Sequence, residues 1–272
     1  MRAASSIKSQ LADHFATGVA MAVLSMVTLS AFPVRADEFQ KDFVGPIEKA
    51  HNAAKWRTKD GVRADFRSKW GGKVRLEGTM LTNTTASKTR LELNNGTVIV
   101  FDGKTCWLYP PDANLERARF HSLTWPYFLA APMKLRDPGS SLEDLGKMEL
   151  LDREYDAAKL TFEPGVGDTP EDWYVLFRDP ESDRLHAMAY IVTYFGSEAP
   201  PAKEPHAITY ENFEEVDGIP ISMLWRFWNW SKEDGLQEQL GQFEIANVEF
   251  VTPDDDAFKA PEGAVEQTLP HP

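Results

Sequence analysis

The sequence predicts a mainly β protein of the α+β kind. Its core is one curved antiparallel sheet of about 10–11 strands, covered by an N-terminal helix and by a helical lid insertion. Three observations carry this prediction. From Val62 onward apolar and polar residues alternate with period two over most of the chain. Turn-forming runs (Gly71-Gly72, Asn94-Asn95-Gly96, Asp102-Gly103, Asp217-Gly218) punctuate that alternation at hairpin spacing. The alternation fails in Asp37–Ala54 and in Pro110–Asp152, so those segments are left to cover the sheet.

Asp37–Ala54 reads as a helix because Phe43, Ile47 and Ala50 or Ala54 recur at helical spacing, with Pro46 near its start. Val62, Ala64, Phe66, Ser68 and Trp70 then alternate with Arg63, Asp65, Arg67 and Lys69, which gives a strand with one dry and one wet face. Val74, Leu76, Gly78 and Met80 continue the pattern. Short strands at Leu91–Leu93, Val98–Phe101 and Thr105–Tyr109 follow. Prolines 110, 111, 126, 132 and 138 break the next stretch, where short helices are expected at Leu123–Ala130 and Ser141–Met148. A long apolar connection of this kind is a lid or a plug. Strands resume at Ala157–Glu163, Trp173–Arg178 and Leu185–Phe195, and the last, apolar on both faces, should be covered on both. Ala207–Val216 and Ile219–Trp230 form a hairpin about Asp217-Gly218, and Leu236–Val251 is the last strand of a meander that ends in a polar tail. A repeat or a linker is nowhere visible, so residues 37–272 read as one domain with the lid at about 110–152.

The first 36 residues read as a cleaved secretory leader. Arg2 and Lys8 precede an apolar run, Ala16–Phe32, and Val34-Arg35-Ala36 offers small residues at a signal-peptidase site. Cleavage after Ala36 would give a periplasmic or secreted protein. No cysteine lies at that site to be acylated, and no stable transmembrane segment is expected after cleavage. The chain carries 29 basic and 42 acidic residues, a net charge of −13. That balance argues against binding nucleic acid or docking on anionic lipid through a basic patch. The single cysteine, Cys106, excludes an intrachain disulfide and a Cys-rich zinc site.

The segment Val98–Pro111, VIVFDGKTCWLYPP, resembles the "v-D-G-k-t-x-W-x-Y-x-P" hairpin of the periplasmic lipoprotein carrier family, the LolA-like proteins. Ala257–Ala264, AFKAPEGA, is similar to that family's closing "F-x-x-P-x-G" stretch. The order of elements also matches. The resemblance implies an unclosed half-barrel, a curved sheet lidded by helices, whose apolar cavity holds acyl chains. It implies a lipid or acyl-chain ligand, and envelope proteins that deliver or receive it as partners. In the carrier an arginine followed by proline precedes the third strand and helps hold the lid. Here that stretch is Thr84–Lys88, TTASK, so the role is not carried over. The Leu185–Trp230 region also looks larger than its counterpart, as in a divergent branch.

A one-layer sheet of this size must bury its apolar face or bind something in it. Lid candidates are Trp125, Tyr127, Phe128, Leu129 and Met133. Wall candidates are Met80, Trp107, Met188, Tyr190, Met223, Trp225 and Phe227, with methionines suited to variable apolar shapes. Each could equally be dry core. Trp228 and Trp230 fall with Arg226 on the face opposite Trp225, where edge packing with an Arg–aromatic stack or a platform for a partner or ligand is expected.

No catalytic residue, metal ligand or cofactor is assigned. The G-x-S-x-G, H-E-x-x-H, P-loop and G-x-G-x-x-G patterns are missing from the sequence. His121, His186 and His206 could meet in space as a metal site, although isolated histidines are more often hydrogen-bonded or surface groups. The function expected is an exported, non-catalytic binding protein for a hydrophobic ligand. A structural or protein-interaction module of the envelope and a secreted hydrolase remain open at this stage.

Overall fold

The computed structural model describes residues 32–269, so the expected leader up to residue 31 lies outside the described residues. The first element, α1 (Phe32–Ala50), begins ahead of the expected Asp37 boundary. Its Phe43, Val44 and Ile47 are buried. The helix does not run on to Ala54. Asn52 takes a left-handed conformation (φ 50°), and the chain restarts as α2 (Ala53–Trp56). Asn tolerates that conformation better than most residues, and its side-chain amide donates to the Gly218 carbonyl at 2.8 Å.

The thirteen strands of the described residues belong to one sheet, and every pairing is antiparallel. Five strands come first: β1 (Gly61–Trp70), β2 (Lys73–Asn83), β3 (Thr89–Leu93), β4 (Val98–Phe101) and β5 (Cys106–Tyr109). Seven follow the lid: β6 (Ser140–Leu150), β7 (Arg153–Phe162), β8 (Tyr174–Arg178), β9 (Leu185–Tyr190), β10 (His206–Val216), β11 (Ile219–Ser231) and β12 (Gly235–Val251). A last short strand, β13 (Val265–Gln267), adds to β5. The spatial order is β13-β5-β4-β3-β2-β1-β12-β11-β10-β9-β8-β7-β6.

The expected single meander is therefore two meanders joined at β1 and β12, where Arg63 faces Glu249. β13 and β6 are the two free edges, so the sheet is an unclosed half-barrel. The seam's wet face is tied by cross-strand ion pairs, Arg63 with Glu249 at 3.0 Å and Lys69 with Glu244 at 2.7 Å, and Arg67 ties β1 to Glu77 of β2 on its other side.

Two strands depart from expectation. Ser141–Met148 is not a helix but most of β6, so the lid insertion ends at residue 139 rather than 152. The polar tail contributes β13. The lid itself is α3 (Ala118–Lys134). β5 and β6 lie near opposite edges of the sheet, so their connection must cross its whole concave face. Seventeen helical residues reach about 25 Å at 1.5 Å each, which makes α3 the bridge.

The concave core joins α1, α2 and α3 to β1–β5 and β7–β12. A second apolar cluster lies on the other face, under β6–β11. In β8, Tyr174 and Leu176 belong to the first cluster and Val175 and Phe177 to the second, as alternation requires. β9 is likewise covered on both faces, as its sequence predicts. Trp230 and the half-buried Trp228 pack in the second cluster. Arg226 pairs with Glu211 at 3.0 Å instead of stacking on an aromatic ring. Among the described residues no helix is long and apolar enough to cross a membrane.

The lid helix contains two prolines, Pro126 and Pro132. A proline supplies no N–H to the carbonyl four residues back. For Pro132 that carbonyl belongs to Phe128, and the Tyr210 hydroxyl of β10 donates to it at 3.0 Å. This bond pins the lid to the sheet. Tyr210→Phe is expected to leave the Phe128 carbonyl buried without a donor, at a cost of about 1–3 kcal/mol. A lowered urea midpoint with an unchanged slope would register it.

Candidate functional site

A cavity of about 1260 Å³ lies between α3 and the concave face of the sheet. It exceeds the roughly 300–1,000 Å³ of drug-sized ligand sites. Its walls come from β1, β2, β8 and β9, from the hairpin between β4 and β5, and from the loops 163–173 and 191–199. α3 forms the roof.

Of the sequence-derived candidates, Trp125, Tyr127, Phe128, Tyr190 and Phe227 line this cavity. Leu129, Met133 and Trp225 instead border a separate void of about 10 Å³ toward β10 and β11, room for one water at most. Met80 and Met188 have no exposed surface and belong to the core. Met223 is half-buried against that core. Trp107 points away from the cavity, because its neighbours Cys106 and Leu108 take the concave face.

Trp107 has a different task. Its indole Nε1 donates to Asp102 Oδ2 at 3.1 Å. The other Asp102 oxygen accepts from the backbone N–H groups of Lys104 and Thr105 at 2.9 and 2.8 Å. Those two backbone bonds and the indole together hold the Asp102 carboxyl below the usual range, against the opposing effect of its partial burial. The Asp-Gly-Lys-Thr-x-Trp spacing is thus a self-closed turn. Cys106, behind it, is fully buried, and burial pushes its thiol up to about 11, which keeps it protonated and unreactive.

The roof is fastened at its N-terminal end. Arg119 of α3 makes a two-point ion pair with Asp168, Nε to Oδ2 at 2.6 Å and Nη2 to Oδ1 at 2.8 Å, and its guanidinium also lies over Phe101. Both side chains are mostly shielded from solvent. Asp168 sits in the loop after β7, in the far half of the sheet, so the pair closes over the cavity. Arg119→Ala is expected to release that loop, losing about 1.5–3 kcal/mol of charged hydrogen bonding. Faster amide hydrogen exchange across 163–172 and the first turn of α3, with the rest of the sheet unchanged, is the signature to look for.

The sequence reading missed several lining groups: Tyr174, Asp172, Phe120 and the 191–195 segment. Tyr174 was accessible in principle, since β8 alternation puts it on the concave face and Tyr190 lies directly across from it. Asp172 is half-buried in a loop. Its Oδ1 accepts from the Thr193 N–H and hydroxyl, both at 2.7 Å, and its Oδ2 from the Thr169 hydroxyl at 2.8 Å. Burial outweighs these bonds and raises its pKa. His121 and His206 both line the cavity, whereas His186 stacks on Tyr155 at 4.9 Å and does not. The three imidazoles therefore do not converge. Among the described residues no group of three or more His, Cys, Asp or Glu is placed to hold a metal.

The fold is shared with solved structures at low identity. The LolA superfamily protein from Nitrosomonas europaea is 11% identical, with a TM-score of 0.53 over 78% of this chain and 97% of that one. A DUF1329 family protein from Desulfovibrio piger is 12% identical, with a TM-score of 0.52 over 82% and 96%. A domain described as an outer membrane lipoprotein-sorting protein, from Vibrio parahaemolyticus, is 8% identical, with a TM-score of 0.50 over 81% and 97%. No family model and no curated protein sequence matches the chain.

Proposed function

We propose that this protein is an exported, non-catalytic binding protein that holds a lipid, an acyl chain or another hydrophobic molecule between α3 and the half-barrel. Delivery or receipt by other envelope proteins would make it a carrier. The observation that carries this reading is the cavity of about 1260 Å³ beneath the lid, into which aromatic residues of both roof and wall project. Apolar burial drives such binding at roughly 25 cal/mol per Å² before ordering costs. The likeness of fold to a lipoprotein-sorting domain supports the same role, and the leader-like start of the chain supports a place outside the cytoplasm.

Native mass spectrometry of the exported protein, purified without detergent, is the direct test. A reproducible added mass that organic extraction removes and identifies as a lipid is the expected result. A bare mass that stays bare after incubation with lipids would overturn the proposal and favour a structural module.

A further inference from the structure

The cavity is built for rings more than for saturated chains. Twelve of its lining residues are Phe, Tyr or Trp, seven are Ala, Val, Leu or Ile, and none is Met. The aromatic groups gather at the β8–β9 end. Tyr174 lies 5.5 Å from Tyr127 and 6.0 Å from Tyr190, centroid to centroid, and 5.9 Å from Phe162. A flat ring entering such a group gains offset or edge-on contacts, each worth more than its buried area alone.

The cavity also holds unused hydrogen-bond donors. Tyr174 and Tyr190 are 9% and 7% exposed. The hydroxyls of Tyr127, Tyr174 and Tyr190 have no protein hydrogen-bond partner among the described residues, unlike that of Tyr210. Trp125 Nε1 and His121 Nδ1 are buried without a partner, and both residues line the cavity. The tyrosine hydroxyls open onto the cavity with no protein partner, and buried donors such as the Trp125 indole are ordinarily satisfied, so their gathering along one cavity points to a ligand that brings acceptors.

We infer that the cargo is a planar, ring-bearing lipid with neutral acceptor oxygens on its ring, of the prenylated quinone type, its carbonyls held by Tyr127, Tyr174 and Tyr190. This rests on the ligand-holding function proposed above and names the class of ligand. A saturated fatty acid fits less well, because its chain offers no face to the rings.

The test is calorimetric titration of the full-length exported protein with ubiquinone-2 and, separately, with palmitic acid. Saturable binding of ubiquinone-2, tighter than that of palmitic acid, is expected. Tyr174→Phe and Tyr190→Phe, which keep shape and lose no protein hydrogen bond, should each weaken ubiquinone-2 by about three- to tenfold and leave the urea midpoint unchanged. Palmitic acid binding as tightly as ubiquinone-2, or ubiquinone-2 binding that ignores both substitutions, would overturn the inference. In the first of those cases the broader ligand-holding function would stand. Failure of both probes together with a bare native mass would remove both.

Discussion

Alanine in place of Trp225 is expected to lower stability by about 3–5 kcal/mol, the usual cost of truncating a buried Trp. The side chain is 1% exposed. It stacks on Phe243 at 4.8 Å and meets the edges of Tyr210 and Phe128 at 6.1 and 6.4 Å. It thus sits where β11, β12, β10 and the lid helix come together. Against the 5–15 kcal/mol total of ordinary domains, that loss brings the variant near its unfolding threshold at room temperature. Urea denaturation of Trp225→Ala, with Trp225→Phe as the milder partner, measures it. A Trp225→Ala protein within 1 kcal/mol of the parent would contradict the packing described. Sequence reasoning placed Trp225 on the ligand wall, but its position makes any loss of uptake a consequence of damaged packing. Phe227 and Tyr190 do line the cavity, so under the proposed function direct effects on uptake are expected from them.

Stability is also expected to fall steeply as pH drops from 6.5 toward 4.5. His51 is 1% exposed, and its Nε2 accepts from the Leu185 backbone N–H at 3.1 Å. An imidazole that accepts must be neutral at that nitrogen. Burial first, and then the Arg184 charge, lower its pKa to about 3, against a smaller opposing effect of the Pro220 carbonyl. Burial and Arg117 lower that of His121 to about 4. In both cases the unfolded chain binds a proton more readily than the folded one. Their contribution is therefore complete above 6.5 and is lost as pH falls toward the folded values. Each histidine gives up about 1.4 kcal/mol per pH unit, so the pair loses on the order of 5 kcal/mol by pH 4.5. His186 and His206, also lowered chiefly by burial, add in the same direction. Asp172, with its raised pKa, works against them. Urea midpoints across this range for the parent and for a His51→Gln, His121→Gln double variant provide the check. An equal slope in both would refute the assignment.

Local periodicity made most of the fold legible. The turn at Asp217-Gly218 has both residues at positive φ, 51° and 66°, as that dipeptide predicts. The misreading of β6 has a physical cause. Ser140 and Ser141 followed by Glu143 and Asp144 imitate a helix cap with acids in its first turn. A bulge between Asp144 and Gly146 breaks the alternation, so Leu142 packs with the concave core while Leu145 and Met148 join the outer cluster. Nothing in a local pattern says that β1 pairs with β12, since that partnership is decided by the whole sheet. The site was legible in part for a related reason. Alternation tells which way Met80 and Met188 face, but not how closely a helix settles over them. Both proved to lie under complete packing, while Tyr174 and His206, a few residues away in the sheet, were left facing open space.

The join between the two meanders also dictates a timetable. A chain delivered N-terminus first forms β1–β5 from local hairpins, because each strand's partner lies close in sequence. One long side of β1 must then wait for β12, whose residues arrive some 186 positions later at the Arg63–Glu249 contact. Contacts of such separation are slow to form, and until then β1 presents a bare strand edge with an apolar face beside it. The lid helix is made during this interval, before any of β6–β12 exists to receive it. Shielding of that unfinished edge, by a chaperone or by α1 and α2 themselves, would govern the yield of folded protein more than its final stability does.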